Sequence, residues 1–147
     1  MKVRLVGTAR LPPSARKPAA LAAACLKTLK SEGAARAGEI NIIFLDRGRM
    51  RALNRRFLKS GRDTDVIAFG YPPPPKALRG AAEDPFGDIF ISAHRARIQA
   101  KRMGHGVLTE ARELIIHGTL HLLGYEDKTP GRRALMFRKQ GLLLGSS

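Results

Sequence analysis

The sequence predicts an α+β fold in which a small mixed sheet of four strands packs with helices. The chain has 147 residues, which suits a single domain over residues 1–147 with a core of its own. Four short apolar segments resemble strands, and they are mixed with helical segments without regular βαβ alternation. One segment, residues 108–124, is apolar nearly all round, which predicts a buried central helix.

The first half of the chain contains two strands and two helices. A strand is expected at residues 3–8, followed by a helix across 18–33 that ends at Gly33. The alternating segment 39–46 predicts the second strand. Residues 47–61 predict a helix with basic residues around one apolar face. The residues of that apolar face are Met50, Leu53, Phe57 and Leu58.

The second half contains the other two strands and three further helices. Strands are expected at 64–69 and 87–92, and the long connection between them is rich in proline, which favours an extended form. Loops of this length are usually functional or mobile. The helices are expected at 93–104, 108–124 and 131–144, with Gly104 and Gly124 as stops.

The charge balance indicates a polyanionic partner. The chain has 27 Lys and Arg against 12 Asp and Glu, a net charge of +15. Nucleic acid is the preferred partner, ahead of an anionic membrane surface, and the alternative is a basic surface without a partner. A single cysteine, Cys25, excludes an intramolecular disulfide. With no signal-peptide pattern and no apolar run long enough to span a bilayer, a cytoplasmic location is expected.

Two of the four histidines lie in the buried central helix. His117 and His121 are four residues apart, so their side chains share one helix face and can bind one metal ion. The metalloprotease pattern H-E-x-x-H has a glutamate where this chain has Gly118. Two interpretations stay open on spacing alone: a metal site, or core histidines bonded to backbone or to a carboxylate such as Glu113.

A third ligand is expected just after this helix. A left-handed turn at Gly124 would return the chain past the helix end and bring the carboxylates of "GYED" near the histidines. Asp127 is the preferred ligand and Glu126 the competitor. Two histidines, a carboxylate and an open water position describe a catalytic zinc site rather than a structural one.

The segment "HGTLHLLGYED" closely resembles the signature H-G-x-L-H-L-x-G-Y-D-H of the YbeY family, metal-dependent endoribonucleases of ribosomal RNA maturation. "LNRRF", "TDVIAF" and "GDIFIS" resemble further family segments in the same order, so the resemblance covers about residues 39–128. It implies a zinc-dependent endoribonuclease of single-strand type that matures the 3′ end of small-subunit ribosomal RNA and takes part in ribosome quality control. Ribosomal RNA and the small subunit would be its partners, and a monomer is expected.

The chain departs from the family pattern at two positions. The family's usual third histidine ligand falls on Asp127, whose negative charge should make a metal-held water less acidic than an all-histidine site would. The arginine thought to be catalytic in the family falls on Leu58. Lys59 or Arg62 would then have to contact the phosphate.

The segment 47–62 has seven basic residues and no acidic one, with Arg47, Arg51 and Arg55 spaced every four residues. We expect this face to contact RNA, although a merely solvated face is the simpler alternative. With 5% aromatic residues and no tryptophan, recognition by charge and shape is expected rather than base stacking.

Two other functions compete with the nuclease. In the first, the protein is a non-catalytic RNA-binding ribosome-assembly factor with a structural metal, which the loss of arginine at Leu58 favours. In the second, the same ion serves a hydrolase of peptides or small molecules, against which Gly118 leaves the helix without its own base.

Overall fold

A computed structural model describes residues 1–34, 38–58, 64–80 and 84–145. In these ranges the chain forms four strands and five α-helices, which confirms the predicted fold class. The strands are β1 (Lys2–Val6), β2 (Glu39–Leu45), β3 (Val66–Gly70) and β4 (Pro85–Ser92). The helices are α1 (Pro18–Ser31), α2 (Arg47–Leu58), α3 (Ala93–Met103), α4 (Val107–Leu122) and α5 (Pro130–Gly145).

The sheet is mixed, with strand order β1-β2-β4-β3. The pairs β1–β2 and β2–β4 are parallel, whereas β3 runs antiparallel to β4. Parallel neighbours need a crossover connection, and α1 supplies the one between β1 and β2. This topology brings β4 to the middle of the sheet, where Ile89 pairs with Ile42 of β2 and Ala68 of β3.

The core lies between one face of the sheet and the helices that cover it. Every second residue of β2 is fully buried, as the alternating sequence requires. Helix α4 is the central element of this layer, because it contacts α1, α3, α5, β3 and β4. Its side chains Ile115, Ile116 and Leu120 are at most 1% exposed, which confirms the predicted buried helix.

The prediction of which residues form the buried face of α2 is only partly correct. Met50 is 1% exposed, but Phe57 and Leu58 are 53% and 55% exposed, and the polar Asn54 is buried. The Phe57 ring packs edge to face on Phe69 with a centroid distance of 5.3 Å, and the guanidinium carbon of Arg56 lies 5.4 Å from the same ring centroid. The prediction fails because apolar spacing reports which side of a helix faces inwards, not how far along the helix that cover extends.

One predicted boundary shifts for a local reason, and another is confirmed. Strand β1 ends at Val6 because Gly7 has φ 77° and turns the chain into a short 3-10 helix, Thr8–Arg10. Gly33 closes α1 as expected, with φ 69° and a hydrogen bond from the Ala34 amide to the Leu29 carbonyl.

The proline-rich connection between β3 and β4 has no regular structure over its prolines, 72–75, and then forms a 3-10 helix, Lys76–Leu78. The predicted end of α2 at residues 59–61 lies outside the described residues. Within the described ranges, no helix combines the length and hydropathy that crossing a membrane requires. Cys25 is fully buried, and that burial raises the pKa of its thiol to about 11.

Candidate metal centre

His117 and His121 occupy the last two turns of α4 and face each other. Their Nε2 atoms are 2.9 Å apart, and the two rings meet at 73° with a centroid distance of 4.5 Å. This is the geometry that the four-residue spacing predicts for one helix face. The sequence therefore placed the pair correctly.

The other nitrogen of each ring is held by a protein oxygen. Nδ1 of His121 lies 3.0 Å from the carbonyl oxygen of Tyr125, and Nδ1 of His117 lies 2.8 Å from Oε1 of Gln140. A carbonyl oxygen accepts only, so both Nδ1 atoms donate, and in the neutral rings both Nε2 atoms keep a lone pair. Two lone pairs directed at one point are suited to a shared cation.

This arrangement combines the two interpretations left open by the sequence. Protein groups satisfy the Nδ1 atoms, as in the core-histidine interpretation, but the partner of His117 is Gln140 rather than Glu113. The Nε2 atoms remain as the pair of donors that a metal site needs.

The chain after α4 turns back as predicted. Gly124 has φ 94°, a left-handed conformation that favours glycine. The Gly124 amide donates to the His121 carbonyl and the Tyr125 amide to the Leu120 carbonyl, each at 3.0 Å, which is the bonding of a Schellman cap. The residues after the cap therefore lie beside the histidine pair.

Asp127 is the carboxylate that reaches the pair. Its Oδ2 atom lies 3.6 Å from Nε2 of His117 and 3.6 Å from Nε2 of His121. Glu126 points elsewhere and forms an ion pair with Arg132. Arg133 donates from Nε to the backbone oxygen of Asp127 at 3.2 Å, which helps to fix the ligand's position.

The three side chains fit a divalent cation. Their donor atoms all lie within 4.8 Å of one another. A four-coordinate zinc ion with bonds of about 2.0–2.2 Å separates its donors by about 3.3–3.6 Å. The two separations to Asp127, 3.6 Å each, agree with this range, whereas the two Nε2 atoms, 2.9 Å apart, would have to separate slightly to bind the ion. The side chains of His117, His121 and Asp127 are 22%, 29% and 42% exposed, so solvent reaches the group.

The protonation state of His121 also suits metal binding. Burial is the main cause that lowers the pKa of His121, and the neighbouring His117 lowers it further. The charge of Asp127 acts in the opposite direction without reversing the shift. A lowered pKa keeps the ring neutral at physiological pH, which is the form that binds a metal ion.

The site opens into a cleft of about 360 Å³ between α3, α4 and α5. His117, Asp127 and Gln140 line it, together with acidic side chains. These include Asp65, which accepts a hydrogen bond from Gln99 at 3.1 Å. Burial, and then the charge of Glu110, raises the pKa of Glu113, which also lines the cleft.

A second group of possible ligands lies near the start of α4, and two of its members, Glu110 and Glu113, line the same cleft. His105, Glu110 and Glu113 bring their donor atoms within 4.8 Å of one another. Nε2 of His105 and Oε1 of Glu110 are already paired at 2.8 Å. We therefore treat His105 and Glu110 as a hydrogen-bonded pair at the start of α4 rather than as part of a metal site.

Gly118 is where the central helix touches the sheet. A Cβ atom at this position would lie 2.6 Å from Cγ2 of Ile89 and 3.2 Å from Cγ2 of Val66. The space that the glutamate of H-E-x-x-H would need is therefore filled by the sheet. The departure from the metalloprotease pattern has a packing cause.

The turn that carries Asp127 is anchored to the end of α1. The Tyr125 hydroxyl donates to Glu32, and Nζ of Lys139 lies 3.1 Å from Oε2 of the same carboxylate. Because the Tyr125 carbonyl also holds His121, this anchor links α1 and α5 to the candidate ligands. The sequence contained no local signal for these contacts or for the role of Gln140.

Only some of the residues that were predicted to contact the substrate lie in the described part of the chain. Leu58 is 55% exposed at the end of α2 and offers no charge to a phosphate. Lys59 and Arg62 lie outside the described residues. On the basic face of α2, Arg55 is exposed and Arg51 is partly buried.

Comparisons with known proteins agree with these observations. A family model described as Endoribonuclease YbeY matches residues 12–146. A protein of that name from Elusimicrobium minutum is 40% identical over 111 residues, covering 76% of each chain. Another from Pelotomaculum thermopropionicum is 35% identical over 125 residues, covering 85% of this chain and 82% of its own. The solution structure of TM1509 from Thermotoga maritima superimposes with a TM-score of 0.58 at 24% identity, covering 97% of this chain and 86% of its own, and so supports the fold.

Proposed function

The chain belongs to the YbeY endoribonuclease family, and from that membership we propose that it is a metal-dependent endoribonuclease. We propose His117, His121 and Asp127 as the ligands of one zinc ion. The observation that carries the proposal is the convergence of their donor atoms in a group that solvent reaches. A structural zinc site usually has four protein ligands and is closed to solvent, whereas a catalytic one has three and an open position.

Zinc is the preferred ion because imidazole nitrogen and carboxylate oxygen are among its usual ligands. A zinc ion bound there would supply Lewis acidity towards a phosphate oxygen and lower the pKa of water from about 15.7 to about 7. Other divalent ions accept the same donors, so zinc identity is part of the proposal.

The chain's own residues prepare the site for this chemistry. Gln140 and the Tyr125 carbonyl accept the Nδ1 protons, which leaves the Nε2 atom of each ring free to bind a cation. The lowered pKa of His121 keeps that ring neutral. Asp127 adds the negative charge that helps to hold a cation, and Arg133 fixes its backbone.

We propose that the substrate is ribosomal RNA and that cleavage matures the 3′ end of the small-subunit RNA. We also propose that the protein takes part in ribosome quality control. The net charge of +15 supports a polyanionic substrate, and the exposed Arg55 on α2 supports phosphate contacts along that helix. Lys59 and Arg62 remain proposed contacts in place of the missing arginine at Leu58. With the small subunit as its partner, the protein would act in the cytoplasm, as a monomer.

One observation favours a second candidate, an RNA-binding ribosome-assembly factor with a structural metal. The position of the family's arginine is taken by Leu58, whose exposed apolar side chain cannot stabilise charge on a phosphate. If cleavage were lost, the basic surface and the metal would still support binding. The two candidates differ in what removal of the metal does to the protein.

A cleavage assay with chelation separates them. Purified protein is incubated with an end-labelled small-subunit RNA fragment before chelation, after chelation and after zinc is restored, while circular dichroism follows the fold. The nuclease predicts scission that stops on chelation and returns with zinc, with the fold retained. Binding without scission, with unfolding on chelation, would instead establish the assembly factor.

A further inference from the structure

Two exposed apolar side chains line the cleft of the candidate metal site. Phe137 of α5 is 69% exposed and Met103, the last residue of α3, is 68% exposed. Both line the same cleft as His117 and Asp127. Large exposed apolar side chains in a cleft that also holds polar groups are typical of ligand contacts.

The Phe137 side chain does not contribute to the buried core. Its neighbours Met136 and Gln140 are 1% and 6% exposed and form the inward side of α5. Phe137 lies next to that side, so its ring borders the cleft instead of entering the core. Leu142 on the same helix is equally exposed, at 69%, but does not line this cleft, so it offers a matched comparison.

The position of Phe137 relates it directly to the candidate ligands. Gln140, three residues further along α5, is bonded to His117 at 2.8 Å. Arg133, four residues before Phe137, lines the cleft and donates to the backbone of Asp127. Residues three or four apart lie on one side of a helix. The Phe137 ring therefore lies between Arg133 and Gln140, the residue that orients His117.

Arg133, the Phe137 ring and the candidate metal site all border this cleft. Together they could contact the phosphate and the base of one nucleotide. Single-stranded nucleic acid is bound by basic side chains that contact phosphates and by aromatic side chains on which unpaired bases stack. The net charge of +15 favours a polyanionic ligand for the chain as a whole. Within the cleft, Arg133 supplies positive charge beside the carboxylates of Asp65, Glu110, Glu113 and Asp127.

We infer that Phe137, with Met103 across the cleft, forms a stacking site for the unpaired base next to the phosphate that is cleaved. This inference rests on the proposed nuclease function and adds a base contact to it. It departs from the expectation, based on low aromatic content, that recognition uses mainly charge and shape rather than base stacking. One well-placed ring is sufficient for a contact of this kind.

Binding to metal-free protein tests the site separately from cleavage. The Kd of a fluorescent single-stranded RNA is measured on chelated wild type, Phe137→Ala, Phe137→Trp and Leu142→Ala, with melting temperatures as a check on folding. A base–aromatic stack is worth about 1–3 kcal/mol, so Phe137→Ala should weaken binding about 5–150-fold. Phe137→Trp should restore affinity and Leu142→Ala should leave it unchanged.

A set of RNAs with one abasic nucleotide, moved along the strand, identifies the stacked base. At one position, removal of the base should weaken binding to wild type but not to Phe137→Ala, because the same contact is already lost. The salt dependence should be the same for both proteins, since no charge has been removed.

The inference is overturned if Phe137→Ala binds like Leu142→Ala, or if every abasic RNA loses the same affinity on both proteins. The proposed function fails in a different way, when wild type with zinc does not cleave RNA at all. Because the binding experiment uses chelated protein, it still decides whether the stacking site exists.

Discussion

Nε2 of His117 and Nε2 of His121 lie 2.9 Å apart, and both rings donate from Nδ1 to a protein oxygen. When both imidazoles are neutral, each Nε2 presents a lone pair to the other, which is unfavourable unless the two atoms share a proton or a metal cation. Asp127, 3.6 Å from both atoms, supplies the negative charge that such a cation needs. The proposed metal centre follows from this relationship.

Replacement of Asp127 by His should restore the ligand that is usual in the family. We expect Asp127→His to bind one zinc ion and to remain active, with a pH–rate profile shifted towards lower pH. The reason is that a neutral ligand leaves more of the ion's positive charge to act on water. The matched control is Glu126→His, because Glu126 pairs with Arg132 instead of the histidines. Equal profiles for the two variants would contradict the ligand assignment.

Gln140 should be a positioning residue for His117. Gln140→Leu puts an apolar side chain of similar size at this buried position and removes the oxygen that holds Nδ1. Loss of such an outer-shell partner costs about 10–100-fold in metal affinity. A competition titration with a chelating dye measures this. Gln140→Glu retains an acceptor and should bind zinc well, and zinc affinity unchanged in Gln140→Leu would show that the contact is incidental.

Gly118 and Gly141 should respond in opposite directions to the same substitution. In Gly118→Ala the new Cβ would lie 2.6 Å from the buried Ile89, so we expect a loss of about 1–3 kcal/mol in the free energy of unfolding. Gly141 has open space around it in α5, and Gly141→Ala should stabilise by about 0.5–1 kcal/mol. Urea denaturation measures both. Equal effects would mean that α4 does not approach the sheet at Gly118.

The anchor of the Asp127 turn should make stability depend on pH. The Tyr125 hydroxyl, and then Lys139, hold the pKa of Glu32 below its ordinary value. A lowered carboxyl pKa stabilises the fold above the unfolded-state pKa of about 4.3, and that stabilisation is lost as the pH falls through the lowered value. The free energy of unfolding of wild type should therefore be larger than that of Glu32→Gln at neutral pH. The difference between the two proteins should become smaller as the pH falls.

Urea denaturation of both proteins between about pH 3 and pH 8 checks this prediction. Glu126→Gln is the control, because its ion pair with Arg132 is largely exposed and contributes little. A margin that is constant with pH would show that Glu32 contributes no charge-dependent stability.

The features that could be predicted from the sequence are those that nearby residues determine. Helix α4 was identifiable because it is apolar nearly all round, and the histidine pair because a four-residue spacing fixes a shared helix face. Asp127 was reachable because a left-handed glycine directly after a helix returns the chain past its end.

The features that were missed depend on residues distant in sequence. Gln140 lies 23 positions after His117, and Glu32 lies 93 positions before Tyr125, so no local pattern connects either pair. The exposure of Leu58 depends on how far the sheet covers α2, which apolar spacing does not report. Such contacts come from the packing of whole elements and are visible only once those elements are assembled.

The central claim is that His117, His121 and Asp127 hold one catalytic cation. Its most direct test is elemental analysis of purified wild type and His121→Ala, with RNA cleavage measured on the same samples. We predict one zinc ion per chain and cleavage for wild type, and neither for His121→Ala with its fold retained. Cleavage by metal-free wild type, or a full complement of zinc in His121→Ala, would contradict the claim.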